Sequence, residues 1–252
     1  GEIKGKNHTA YLWEYGRPGG AVVFQFEMGR GRAGPQEFLK SFQGILQSDG
    51  YGAYDDLGEG IEHLACLAHI RRGFVDAAKL APEDPRPVEL VREFDRLYRI
   101  EREAKEQNLT ETSRRDLRQS QSKPVFEALK LRITQVRQQV TPASKLAKAC
   151  DYALGQWSRM ELYLEHGRVE IDNNWCEGAM RPIALGRKNW LHLGDESAGP
   201  KIAAVISIVE TCRRLDIPLR AYLGAILPKL GDWPITRVAE LTPSAWKAAQ
   251  KS

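Results

Sequence analysis

Two short runs of this chain carry the side chains that can do chemistry. The first is Glu170-Ile171-Asp172-Asn173-Asn174-Trp175-Cys176-Glu177-Gly178-Ala179-Met180-Arg181-Pro182, leading into Gly186-Arg187-Lys188-Asn189-Trp190. It sets a carboxylate, Glu177, on a helical stretch and follows it with Arg181, Arg187 and Lys188. The second, Leu46-Gln47-Ser48-Asp49-Gly50-Tyr51-Gly52-Ala53-Tyr54, brings Asp49 to the tip of an apolar strand, with Tyr51 and Tyr54 just beyond. Acids that hold divalent ions beside bases that hold a polyanion are what phosphoryl transfer on a nucleic-acid backbone needs. In such a site two Mg²⁺ ions lie about 3.5–4 Å apart, one by the attacking oxygen and one by the leaving oxygen. Magnesium keeps waters and substrate phosphates in its shell, so a few acids from distant parts of a chain suffice.

Each of these residues also has a plainer reading. Asp49-Gly50 is a common turn pair, and a helical Glu177 can pair with Arg181 one turn on. Arg187, Lys188 and Asn189 read as phosphate contacts or as a solvated loop in front of Trp190. Cys66-x-x-His69 is half of a zinc site with no second half in the sequence. Cys66 and His69 therefore read as support at a strand end, with Arg71 and Arg72 facing the groove. Asp172 reads as the N-cap of the Glu177 helix, with Asn173 and Asn174 as further support.

The elements that must hold these groups follow from the apolar pattern. Thr9–Tyr15 and Ala21–Glu27 read as strands joined by the turn cluster Gly16-Arg-Pro-Gly-Gly20, an antiparallel hairpin. Pro35 opens a helix that ends at Gly44. Ile45–Ser48 is a short strand carrying Asp49, and Ile61–Ala68 is a buried strand running into a helix that starts near Arg71. From Pro82 to Trp157 the chain turns charged and helical, with helices around Val91–Ala104 and Val125–Val140. A helix follows over Asp172–Ala184, then apolar helices over Ile202–Leu215 and Leu219–Leu230, and a Pro-punctuated tail from Trp233 that packs loosely.

This order predicts an α/β protein with a ribonuclease H-like core, a mixed sheet flanked by helices, and an all-helical insertion before the last catalytic helix. The expected parts are a first core segment over 1–80, an insertion over 81–158, a second core segment over 159–230 and a tail over 231–252. The chain has 252 residues, 42% of them apolar and 28% charged, with a net charge of +4. That is ordinary for a globular protein and compatible with nucleic acid. Cys66, Cys150, Cys176 and Cys212 are widely spaced, which argues for reduced thiols rather than a disulfide scaffold. No signal peptide or apolar run of about 18 residues points to export or to a membrane.

The motifs taken together resemble the insertion sequence 66 family of bacterial transposases. They are Asp172-Asn173-Asn174, Glu177-Gly178-Ala179, Arg181-Pro182 and Gly186-Arg187-Lys188-Asn189-Trp190-Leu191; Leu46-Gln47, Asp49-Gly50-Tyr51 and Tyr54; and Cys66, Ala68-His69, Arg71-Arg72 and Phe74. Leu97-Tyr98, Ile100-Glu101, Gly167-Arg168, Glu170-Ile171, Glu210-Thr211, Pro218 and Ala221-Tyr222-Leu223 extend the likeness over nearly the whole chain.

The resemblance implies a DDE-type DNA transposase of a mobile element, acting in DNA recombination by Mg²⁺-dependent cleavage and strand transfer of transposon-end DNA, with Mn²⁺ as a substitute ion. Asp49 then matches the second acid and Glu177 the third, both as metal ligands. Arg71, Arg72, Arg181, Arg187, Lys188 and Asn189 become DNA contacts. Transposon ends and target DNA are the implied partners, in a homo-oligomer on paired ends with no membrane. The implied location is the bacterial cytoplasm, on the nucleoid when DNA is bound.

Two departures qualify this expectation. The family's first acid belongs on a strand that precedes this chain's first residues, so the chain alone is expected to be inactive. Gly178 stands where the family has Arg, which removes one candidate contact and weakens a helix interior by about 1 kcal/mol. The rival reading is a non-catalytic DNA-binding remnant of a transposase.

Overall fold

The computed structural model describes residues 9–190, 193 and 195–250, and of residues 187–190 the backbone alone. It is a mixed α/β structure, mostly helical, with two small sheets among the described residues. The chain forms two compact units. One is Leu39–Asn173, and the other joins Gly1–Phe38 to Asn174–Ser252.

In the second of these, β1 (Tyr11–Gly16) and β2 (Val22–Glu27) pair antiparallel, with Tyr11 opposite Glu27 and Gly16 opposite Val22. The hairpin turn is closed by hydrogen bonds from Arg17 N to Ala21 O and from Gly20 N to Arg17 O. A short helix α1 (Ala33–Leu39) follows.

The unit Leu39–Asn173 begins with β3 (Gly44–Ser48), paired in parallel with β4 (Ile61–Ala65). Eight further helices run to the end of the charged region and beyond it. They are α2 (Leu67–Leu80), α3 (Pro85–Glu106), α4 (Glu111–Leu117), α5 (Lys123–Gln139), α6 (Lys145–Gly155) and α7 (Trp157–Glu161), then α8 (Asn174–Trp190) and α9 (Ala198–Arg214), which return to the hairpin unit. Asp84 caps α3 by accepting from Arg86 N, with Pro85 at the first helical position, and Ser144 caps α6 by accepting from Ala147 N. One core joins β4, α2, α3, α5, α6 and α7 through Leu64, Phe74, Phe94, Leu97, Phe126, Ile133, Trp157 and Tyr163.

The face that α3 buries includes a charged residue. Leu90, Phe94, Leu97, Glu101 and Ala104 are buried, whereas Val91, Tyr98 and Ile100 are only partly so. A carboxylate thus points into the core. Its partner, Arg118, opens a single π-helical turn, Arg118–Ser122, between α4 and α5. The wider i→i+5 turn shifts the side-chain register, so an α-helical wheel cannot foresee that pairing.

In the hairpin unit α9 lies along the outer edge of β2. Thr211 Oγ1 accepts from Val22 N at 3.1 Å and donates to Val22 O at 3.0 Å, and Ser207 Oγ accepts from Phe24 N at 2.8 Å. These side chains, one helical turn apart, cap an edge that would otherwise offer free backbone groups. Val22, Phe24, Ala179, Ile183 and Ala203 fill the space between the hairpin, α8 and α9.

The end of the chain is packed rather than loose. α10 (Leu219–Leu230), a 3₁₀ segment Ile235–Leu241 and α11 (Pro243–Ala249) share a cluster of Cys212, Ile217, Tyr222, Ile226 and Leu241. Tyr222 donates to Leu241 O at 2.7 Å and meets Trp246 edge-on. Among the described residues no helix is long and apolar enough to cross a membrane.

Candidate active site

Asp49 stands where expected, directly after the parallel strand β3, and its turn is held from three sides. Its own Oδ1 accepts from Tyr51 N at 2.9 Å, and Ser48 Oγ accepts from Gly50 N at 3.2 Å. Buried Ser48 is in turn bonded to His63 Nε2 of β4 at 2.7 Å. Burial, with help from the Arg159 charge, pushes the His63 imidazole down to about 4, so the ring is neutral at physiological pH. From the helical side, the Tyr152 hydroxyl of α6 donates to Asp49 O at 2.9 Å, and Arg159 of α7 pairs with Asp55 at 2.7 Å. Gly50 has φ +81, and a β-carbon there would meet the Tyr152 oxygen at 2.4 Å. Only glycine fits both demands. The Asp-Gly pair is therefore a turn, and one that fixes the carboxylate rather than leaving it loose. Sequence reasoning missed Tyr152, Arg159 and His63. Tyr152 and Arg159 come from helices far along the chain and His63 from the paired strand β4, and no spacing rule links them to Asp49.

The stretch leading into the Glu177 helix is pinned just as closely. Arg118, fully buried, donates Nε to Glu101 Oε1 at 2.7 Å and Nη2 to Glu101 Oε2 at 2.8 Å. It also donates to the carbonyls of Tyr163 at 3.0 Å, Val169 at 2.8 Å, and His166. Arg114 bridges Glu101 at 2.6 Å and Glu170 at 3.1 Å. Burial raises the Glu101 carboxyl, but Arg118 and Arg114 together outweigh it and hold the group below its ordinary value. Glu170 O accepts from Gln47 Nε2 of β3, and Ile171 O accepts from Leu67 N at the start of α2.

Cys66 precedes α2, and its Sγ accepts from Asn173 N at 3.5 Å. Burial pushes the thiol up to about 11, so it stays protonated. Arg71 pairs with Asp95 of α3 at 2.8 Å, so its charge is engaged within the unit, whereas Arg72 is exposed with no ion pair among the described residues.

Helix α8 begins at Asn174, two residues after the expected start. Asp172 is thus outside the helix. Its charge acts on half-buried Tyr98, whose hydroxyl is raised chiefly by burial and next by Asp172. Glu177 falls in the first turn of α8. Arg181, one turn on, is exposed and in no ion pair among the described residues, so the alternative reading of a Glu177–Arg181 pair finds no counterpart there. The backbone of 187–189 continues the helix where a loop was one reading. The side chains of Arg187, Lys188 and Asn189 lie outside the described residues.

Around Glu177 the hairpin unit gathers several charged groups. Glu14 of β1 is pushed up to about 7, chiefly by burial, with Glu210 and Glu177 adding to the rise while Cys176 and Arg214 oppose it. Glu210 is buried and paired with Arg213 at 2.5 Å. The departure at Gly178 has a steric reason: a β-carbon there would meet Arg214 Nη2 at 2.5 Å. The bare backbone makes room for a guanidinium from α9, which also sits 5.0 Å over the Trp175 ring.

Asp49 belongs to the unit Leu39–Asn173 and Glu177 to the hairpin unit. Among the described residues no three His, Cys, Asp or Glu side chains stand close enough to hold a metal ion. Magnesium bound through one or two carboxylates plus water and phosphate needs no such cage. Asp49, with one oxygen held in its turn, suits that kind of ligation.

Known proteins supply the class and then the family. The pattern described as "Transposase IS66 family" matches residues 2–201, which puts the chain among transposase sequences. The chain belongs to the IS66 transposase family. It is similar to three proteins of Sinorhizobium fredii (strain NBRC 101917 / NGR234). "Uncharacterized protein y4hP" is 32% identical over 273 residues, covering 98% of this chain and 49% of that protein. "Uncharacterized protein y4jD" is 33% identical over 91% of this chain and 46% of its own length, and "Uncharacterized protein y4qI" 33% over 96% and 48%. The chain thus spans about half the length of these curated relatives. No solved structure matches it.

Proposed function

We propose that this chain is the catalytic part of a DDE-type transposase that cleaves transposon-end DNA and joins it to a target. The observation that carries the reading is the family match over residues 2–201, with Asp49 held in a built turn after a parallel strand and Glu177 in the first turn of α8. Asp49 and Glu177 are the acids that would hold Mg²⁺, with Mn²⁺ as a substitute. The bound ions would supply Lewis-acid activation of water and of the phosphate oxygens. The chain's own part is to fix the two carboxylates and to hold the DNA backbone through Arg72, Arg181, Arg187, Lys188 and Asn189. Arg71, already engaged with Asp95, adds less to that contact.

The ribonuclease H-like core, with α3–α6 as the helical insertion, belongs to this reading, although the described strands form two separate two-stranded sheets rather than one mixed sheet. The expected division at 1–80, 81–158, 159–230 and 231–252 belongs to the same proposal. So do assembly as a homo-oligomer on paired ends and action on the nucleoid of a bacterial cytoplasm. The rival reading is a non-catalytic DNA-binding remnant of a transposase.

Metal-dependent nicking of a duplex carrying the element's terminal repeat, by the full-length gene product, tests the proposal. Cleavage in Mg²⁺ or Mn²⁺ that Asp49→Asn abolishes is the expected result. Binding without cleavage in either metal favours the remnant.

A further inference from the structure

We propose that Arg214 is a DNA-phosphate contact of the Glu177 site, a role no motif in the sequence assigns to it. The proposal rests on the reading of Glu177 as part of a DNA-processing site.

Arg214 closes α9, beside Arg213, yet the two side chains have different fates. Arg213 is committed to Glu210 through both its Nε, at 2.9 Å, and its Nη2, at 2.5 Å. Arg214 makes no ion pair among the described residues, and its Nε is buried without a hydrogen-bond partner there. Its guanidinium lies against the backbone of α8 at Gly178, the residue after Glu177, where any side chain would displace it. It lies 5.0 Å from the centroid of the Trp175 ring.

A guanidinium held over an aromatic ring keeps its donors along its edge, and five N–H groups cannot all go unused at low cost. The nearby acids do not fully answer it. Glu210, the buried acid beside it on α9, is committed to Arg213. A half-buried guanidinium whose Nε has no hydrogen-bond partner among the described residues, next to a candidate metal-binding carboxylate, suits a phosphate. A backbone phosphate of the DNA strand is the ligand with that chemistry.

The experiment measures binding of the full-length gene product to a mixed-sequence DNA duplex over a series of salt concentrations, for wild type, Arg214→Gln and Arg214→Lys. Arg214→Gln is expected to weaken binding about 5- to 20-fold and to lower the slope of log K against log salt by about one. Arg214→Lys is expected to keep the slope and to lose only part of the affinity. Unchanged affinity and slope in Arg214→Gln, with a lowered melting temperature, would make Arg214 a structural counter-ion and overturn the proposal. Should Arg214→Gln fail to fold, phenylglyoxal modification of the wild type decides. Protection of Arg214 by the duplex supports the contact, and equal modification with and without DNA overturns it. A wild-type protein with no salt-dependent duplex binding removes the DNA reading itself, an outcome distinct from wild-type binding that Arg214→Gln leaves intact.

Discussion

Replacing Arg118 by Met should cost the Leu39–Asn173 unit about 4 kcal/mol. The side chain is fully buried and spends all its N–H donors, two on Glu101 and three on the carbonyls of Tyr163, His166 and Val169. Removing one partner of a buried ion pair costs about 3–5 kcal/mol, and each carbonyl left without a donor adds about 1–3 kcal/mol. Two effects offset this. Arg114 still holds Glu101 at 2.6 Å, and the 163–169 turn can admit water once the guanidinium is gone. Methionine keeps much of the volume beside the Tyr163 ring, which lies 4.3 Å from the guanidinium carbon, so the loss is electrostatic rather than a cavity. Urea unfolding gives the number: at about 2 kcal/mol per molar, the midpoint should fall by about 2 M. The double variant Arg118→Met/Glu101→Leu should lose less than Arg118→Met alone, because no charge is stranded. A single-variant loss under about 1 kcal/mol, or strict additivity in the double variant, would refute the buried-clamp argument.

Gly50→Ala should lower stability by about 1–3 kcal/mol, from the positive φ and the collision with Tyr152; an unchanged melting temperature would contradict this. Glu14 is raised to about 7 from an ordinary carboxyl near 4.5, so the native state keeps a proton that the unfolded chain has released. Its contribution to stability is therefore present at low pH and lost as pH rises from about 4.5 through about 7, worth about 1–2 kcal/mol after screening. Urea midpoints of wild type and Glu14→Gln across that range check it, and parallel pH profiles would rule it out.

The hairpin was legible because its turn cluster sits between two β-rich runs, and β3 because an apolar stretch ends at Asp-Gly. The start of α2 was misread by four residues, since Leu67–Ile70 is apolar enough to pass for more strand. The tail from Trp233 read as loose because Pro234 and Pro243 interrupt it. Its anchors, Leu241 and Tyr222, meet only in three dimensions. The Glu101–Arg118–Arg114–Glu170 network was invisible for a physical reason. Charges on an amphipathic helix are usually solvated, and the π turn at Arg118–Ser122 moves the face that a helical wheel assigns. The two candidate acids were legible from their neighbours in sequence. The residues that fix or accompany them, Tyr152, His63, Arg159 and Arg214, were not, since each arrives from another element.

The central claim is that Glu177 is a metal-binding acid of a DNA strand-transfer site, and one substitution tests it most directly. Strand transfer and DNA binding would be measured side by side for wild type and Glu177→Gln in the full-length gene product with Mg²⁺. Removing a carboxylate that holds the ion should abolish transfer and leave duplex affinity within about threefold of wild type, because that affinity comes from the basic side chains. Retained strand transfer by Glu177→Gln would contradict the account.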